Sequence, residues 1–189
     1  MREEYICNKK SLKKRNQEGR NIILIGMPGV GKSTIGVILA KTLGMDFVDE
    51  DILICNWENS TLPEIIAEKG IDALLAIEEQ VGLTFDGENC VLATGGSAVF
   101  SDDAMQHLKS TGVCIWLYSP LDVIEERLAR GSRENRGVAA PASMTVEDIY
   151  NQRMPLYEKH ADIKIICTGQ PESTVEKIIE AIHNINENN

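Results

Sequence analysis

Short apolar runs recur along this chain, separated by longer stretches in which apolar residues fall three and four apart. NIILI (21–25), CVLAT (90–94), VCIWLY (113–118) and IKIIC (163–167) are too short for helices and rich in aliphatic residues, so each predicts a buried strand. DFVDED (46–51) predicts another strand, with its far end acidic. The segments KSTIGVILAKTLG, LPEIIAEKG, IDALLAIEEQVGLTF, SDDAMQHLKS, SPLDVIEERLARG, TVEDIYNQRMPLYEKHA and PESTVEKIIEAIHNI read as helices. Gly44 supplies a C-terminal stop, Gly70 a break between two helices, and Ser101 an N-cap followed by acids. Pro120 sits near a first turn, and Pro155 predicts a kink or break. GSRENRGVAAPAS (131–143) is small, polar and irregular, and predicts a mobile loop. Strands alternating with helices predict a three-layer α/β fold: a five-stranded parallel sheet with helices on both faces.

Composition narrows the class. With 189 residues, 43% hydrophobic and 25% charged, the chain suits one globular domain with a sizeable core. No run approaches the ~18 apolar residues of a membrane helix. The N-terminal MREEYICNKKSLKKR has no apolar signal stretch, so a cytoplasmic protein is expected. Cys7, Cys55, Cys90, Cys114 and Cys167 are scattered and suggest buried thiols; His107, His160 and His183 share no ligand-like spacing. Residues 1–20 hold seven Lys/Arg against three acids, which leaves twelve bases against twenty-six acids in the rest. A body that acidic argues against nucleic acid or a membrane as partner. The basic leader is read as a solvated extension ahead of a single domain over 21–187.

The chemistry is concentrated in GMPGVGKST (26–34). It matches GxxxxGK[ST] between a strand and a helix, the context that a phosphate-binding loop requires. Gly26, Gly29 and Gly31 let the backbone turn its amides inward around a polyphosphate, with Val30 and Thr34 in the same nucleotide-binding stretch. Lys32 would reach the outer phosphates and Ser33 would hold Mg²⁺. Magnesium also wants a carboxylate at a neighbouring strand end, and only Asp49-Glu50-Asp51 offers one. On an extended segment Asp49 and Asp51 share a face, so one acid can meet the metal and the other an acceptor hydroxyl. The alternative is a strand end that caps the next helix.

These motifs, with IEE (77–79), LATGG (92–96) and RMPLYEKHAD (153–162), resemble the shikimate kinase family from about residue 20 to 185. The resemblance implies ATP and Mg²⁺ as cofactors, a small hydroxylated acceptor, a role in aromatic amino acid biosynthesis and a monomer. It implies that Asp49 positions the metal and Asp51 meets the acceptor hydroxyl. Gly95 and Gly96 would lie beside the γ-phosphate and the acceptor, Arg130 near adenine, Arg136 on a lid over about 131–143, and Arg153 on the acceptor carboxylate. Lys32, Asp51 and Arg136 would be the catalytic set.

The chain also departs from the family. Leu75 stands where the family carries an arginine that shares the carboxylate with Arg153, and no Lys or Arg occurs from Gly70 to Leu108. Glu78, which steadies that arginine in the family, is left facing the pocket. The glycine triplet reads Gly95-Gly96-Ser97, and the lid reads Arg136-Gly137-Val138. Losing one partner of such a pair costs about 2–5 kcal/mol, unless a lid base such as Arg133 substitutes. The expected function is ATP-dependent phosphorylation of a small hydroxyl compound, shikimate first. The alternatives are another hydroxylated metabolite or sugar acid, and a nucleotide-binding regulatory module without transfer.

Overall fold

The computed structural model describes residues 20–130, 138–167 and 169–187. The basic leader before Arg20, and Arg133 and Arg136 of the expected lid, lie outside the described residues. The elements run β1 (Asn21–Ile25), α1 (Lys32–Leu43), β2 (Asp46–Asp49), α2 (Glu50–Glu58), α3 (Leu62–Lys69), α4 (Ile71–Thr84) and β3 (Cys90–Ala93). After a 3₁₀ turn at Ala98–Phe100 come α5 (Asp102–Thr111), β4 (Gly112–Tyr118), α6 (Leu121–Ala129), α7 (Val146–His160), β5 (Ile163–Ile166) and α8 (Pro171–Glu187).

The five strands are all parallel, in the order β2-β3-β1-β4-β5. β1 is central, and all five of its residues are buried, as an unbroken apolar run with helices over both faces requires. Because every strand points the same way, the loops leaving β1, β2 and β3 emerge at one edge of the sheet. The phosphate-loop sequence, the acidic triplet and the Gly-Gly-Ser segment follow these three strands. The chain order reverses beside β1, where ligands settle in open α/β sheets.

The main core joins β1, β3 and β4 to Leu39, Met105, Leu108, Ile124, Tyr157 and Ile178 from the surrounding helices. A smaller core of Ile54, Leu62, Ile65, Leu74, Val81 and Ala139 holds α2, α3 and α4 together. Cys90, Cys114 and Cys167 are buried and free, as expected, and Cys55 is half-buried. No described helix is long and apolar enough to cross a membrane.

Two local expectations change. The predicted strand over 46–51 stops at Asp49, whose side chain accepts the Asp51 N–H at 3.1 Å as an N-cap. Asp49 is extended, and Glu50 and Asp51 enter the first turn of α2, where negative charge is favourable. The helix therefore wins over the last two expected strand residues, and the strand alternation invoked for Asp49 and Asp51 does not apply. Pro155 does not break α7, which runs through it. The carbonyl left without a partner is that of Asn151, an exposed residue, where water can serve it.

Candidate active site

At Gly26 (φ 145°) a Cβ would meet the Leu117 carbonyl oxygen at 2.5 Å, so only glycine lets the chain leave β1 here. The loop then bends through Gly29 and Gly31, both with positive φ. Gly31 is the N-cap of α1, and no side chain caps that helix. The first-turn amides are thus available to an anion, and the helix dipole favours one. Lys32 is buried, and its Nζ donates to the carbonyls of Gly26 (2.7 Å) and Met27 (3.2 Å). Burial pushes its pKa down to about 8, against the pull of the Asp51 carboxylate. Ser33 and Thr34 are exposed on the next positions.

The acids after β2 separate into different jobs. Asp49 spends one oxygen on the α2 cap. Glu50 turns into the protein, 1% exposed, and accepts the Gly95 N–H at 2.5 Å. Burial first, and then the neighbouring Glu78, push its carboxyl up to about 8. Asp51 is mostly buried and faces Lys32; burial raises its pKa, while Lys32 opposes the rise. A carboxylate with a raised pKa beside an acceptor is suited to taking a proton.

The segment after β3 is held in place by its neighbours. The Thr94 hydroxyl donates to the Leu24 carbonyl at 3.0 Å, and Tyr157 Oη donates to the Gly96 carbonyl at 2.6 Å. A Cβ on Gly95 would lie 2.7 Å from Glu78 Oε1 and 3.4 Å from Glu50 Oε2, so this glycine separates two buried carboxyls. Ser97 Oγ donates to Glu78 Oε1 at 2.8 Å. Burial pushes Glu78 up to about 7, although the Ser97 hydrogen bond opposes this.

Arg153 projects from α7 and is 1% exposed. Its Nη2 donates to the Ala139 carbonyl at 2.7 Å, and its guanidinium lies 5.3 Å from the Phe100 ring centre. Its Nε and Nη1 have no partner among the described residues. Leaving two donors of a buried cation unpaired is costly, which marks them as groups awaiting a ligand.

Part of each of these segments borders one cleft of about 550 Å³. Gly29, Gly31, Lys32, Ser33 and Thr34 line it together with Asp51, Glu78, Gly96 and Arg153. Arg130 stands at its rim, exposed and paired with Glu126. Gly26, Val30, Asp49 and Gly95 are not among its lining residues. Leu75 is also absent from it. That side chain lines an adjoining hollow of about 280 Å³, whose wall Glu78 and Ser97 share. Leu75 stands three residues before Glu78 on α4, on the same side of the helix, and also packs against the Leu74 and Ile65 cluster.

Sequence reasoning missed three contributors. Glu50, which strand alternation would point away from Asp49 and Asp51, anchors Gly95. Tyr157 anchors Gly96 from one turn beyond Arg153. Arg127 lines the cleft, and its Nη1 donates to the Val30 carbonyl at 2.8 Å, tying α6 to the phosphate loop. Its spacing of three from Arg130 on one helix was the available signal. Among the described residues no group of three His, Cys, Asp or Glu side chains stands close enough to cage a metal.

Comparison with known proteins points to one family. The family model for shikimate kinase matches residues 28–183. The shikimate kinase of Thermodesulfovibrio yellowstonii is 37% identical over 163 residues, covering 85% of this chain and 94% of that protein. The shikimate kinase of Rhizobium leguminosarum is 34% identical, covering 86% and 84%. Among solved structures, shikimate kinase from Acinetobacter baumannii in complex with shikimate superposes with a TM-score of 0.73 at 28% identity, covering 87% of this chain and 93% of that one. With the family model matched over most of the length, relatives at 37% and 34% identity and a shared fold, the chain belongs to the shikimate kinase family.

Proposed function

We propose that this protein transfers the γ-phosphoryl group of ATP to a hydroxyl of shikimate. The observation that carries the reading is Arg153: a buried guanidinium with two unpartnered donors shares a cleft with Asp51 and the phosphate loop. That arrangement fits an acceptor bearing both a carboxylate and a hydroxyl. The uncapped start of α1, with Lys32 behind it, fits a triphosphate. Ser33 and Asp49 are the residues that would hold Mg²⁺, which keeps few protein ligands and completes its shell with water and phosphate oxygens. Bound there, the metal supplies charge neutralisation on the phosphates.

The chain's own groups then divide the work. Loop amides and Lys32 hold the phosphates and offset charge on the moving group. Asp51 orients the acceptor hydroxyl and takes its proton late in transfer. Arg153 fixes the acceptor so that its oxygen lines up with the phosphorus. Arg136 is retained as the lid cation in this reading, with Arg130 beside the adenine.

A second acceptor is favoured by one observation. Glu78 stands in the cleft with no base on its own helix, and Leu75 occupies the turn before it. A hydroxy acid other than shikimate would suit a cleft in which Glu78 has no cation beside it on α4. The deciding experiment is steady-state ADP formation with shikimate against a panel of cyclic and linear hydroxy acids. The highest kcat/KM is expected for shikimate; a higher value for another acid moves the assignment to it. ATP binding without transfer to any acceptor would leave only the regulatory module.

A further inference from the structure

Glu78 is an unusual residue to find at a site that binds acidic molecules. It is 4% exposed on α4, and no Lys or Arg lies anywhere from Gly70 to Leu108 to neutralise it locally. Two other acids, Glu50 and Asp51 of α2, face it, and only Gly95, which has no side chain, separates it from Glu50. The opposing cations are Lys32 of α1 and Arg153 of α7, and the Tyr157 hydroxyl of α7 stands nearby. Lys32 donates to two loop carbonyls, and Arg153 spends one donor on Ala139. Neither forms a hydrogen bond to Glu78. What Glu78 has is a single neutral donor, Ser97 Oγ on Oε1, while Oε2 has no partner among the described residues.

We propose that Glu78 works in this protein as a neutral acid, donating its Oε2–H to an oxygen of the acceptor beside the Arg153 guanidinium. Resting on the acceptor reading above, this names the second half of acceptor recognition. The Ser97 hydroxyl occupies Oε1, so the proton belongs on Oε2, the oxygen without a partner. A buried, unpartnered oxygen is expensive as part of an anion and useful as a donor. One guanidinium plus one neutral acid suits a single carboxylate, because the acid adds a hydrogen bond without adding charge. An ionised Glu78 would instead oppose the same carboxylate, with Glu50 and Asp51 already close.

Burial holds the Glu78 proton until about pH 7. Acceptor binding that needs the acid form weakens about tenfold for each pH unit above that value. The experiment follows KM for shikimate from pH 6 to 9 in the wild type, Glu78→Gln and Ser97→Ala. The wild-type KM should rise steeply at the alkaline end, with KM for ATP as the internal reference. Glu78→Gln keeps an N–H donor that never ionises, so its acceptor KM should be flat over the range. Ser97→Ala removes a bond that favours the carboxylate, so its break should move to higher pH.

Infrared difference spectra of wild type minus Glu78→Gln, without substrates, read the proton directly. A protonated-carboxyl band at pH 6 that is gone by pH 9 is expected. If Glu78→Gln does not fold, the same band is followed in Ser97→Ala against wild type, where it should persist to higher pH. An absent band at pH 6, or an acceptor KM that follows wild type in Glu78→Gln, overturns the proposal. The band present with no shikimate turnover counts against shikimate as acceptor; good turnover with no band counts against Glu78 alone.

Discussion

Asp51 and Lys32 set each other's protonation across the cleft. Lys32 is buried and Asp51 largely so, each draws the other toward its charged form, and desolvation outweighs that pull in both. The result is a carboxylate more basic than an exposed one and a lysine that gives up its proton more easily, both lining the same cleft. Asp51→Asn keeps the shape and removes the basicity. It should lower kcat by roughly 10²- to 10⁴-fold, with KM for ATP changed far less. Equal losses in the two parameters, measured by coupled ADP release, would show that Asp51 serves the nucleotide instead.

Most of the elements are held by features written within a few residues of their ends. In α7, the Thr145 hydroxyl accepts the Asp148 N–H at 3.0 Å, and the Asp148 carboxylate accepts the Thr145 N–H at 2.8 Å. This capping box starts the helix that carries Arg153 and Tyr157. Thr145→Ala should cost about 1 kcal/mol, or roughly 2–4 °C of Tm for a domain of this size. Calorimetry checks it, and an unchanged Tm would mean that packing of Ile149 and Tyr157 holds the helix unaided. The same kind of local rule produced the corrected element. Asp49 caps α2, and capping at one residue outweighed the alternation expected over DFVDED.

At the scale of the molecule, burying acids makes stability depend on pH in an uncommon direction. Glu78 has an ordinary value of 4.5 and is pushed up to about 7 in the folded protein; Glu50 is pushed up to about 8. Between about pH 4.5 and those values the folded state holds protons that the unfolded chain has released, so stability falls as pH rises. Each group contributes a slope of at most about 1.4 kcal/mol per pH unit. Above pH 8 Lys32 works in the other direction, against the buried thiols of Cys90, Cys114 and Cys167, which continue the decline above pH 9. The folded protein has then lost a proton from Lys32, at about 8, that the unfolded chain keeps until about 10.5. Tm should therefore be higher near pH 5 than near pH 8, and Glu78→Gln should flatten the decline. A Tm rising from pH 5 to 8 would mean that these carboxyls ionise in the folded state without cost.

The phosphate loop was legible from the sequence because every residue of it is contiguous: Gly26 to Thr34 specify their own backbone, and flanking periodicity shows a strand before and a helix after. The strand order was not readable residue by residue, but alternation of strand and helix leaves few parallel arrangements, and the one found gathers the ends of β1, β2 and β3. Arg153 and Asp51 could be named through family resemblance, whereas their burial could not. Tertiary structure alone decided that Glu50 faces Gly95, that Ser97 answers Glu78, and that Leu75 sits in a side hollow. Those facts depend on which side chains meet across α2, α4 and the β3 loop. Local sequence fixes backbone conformation over a few residues, but only the closed fold sets the distance between carboxyls and the water that each has lost.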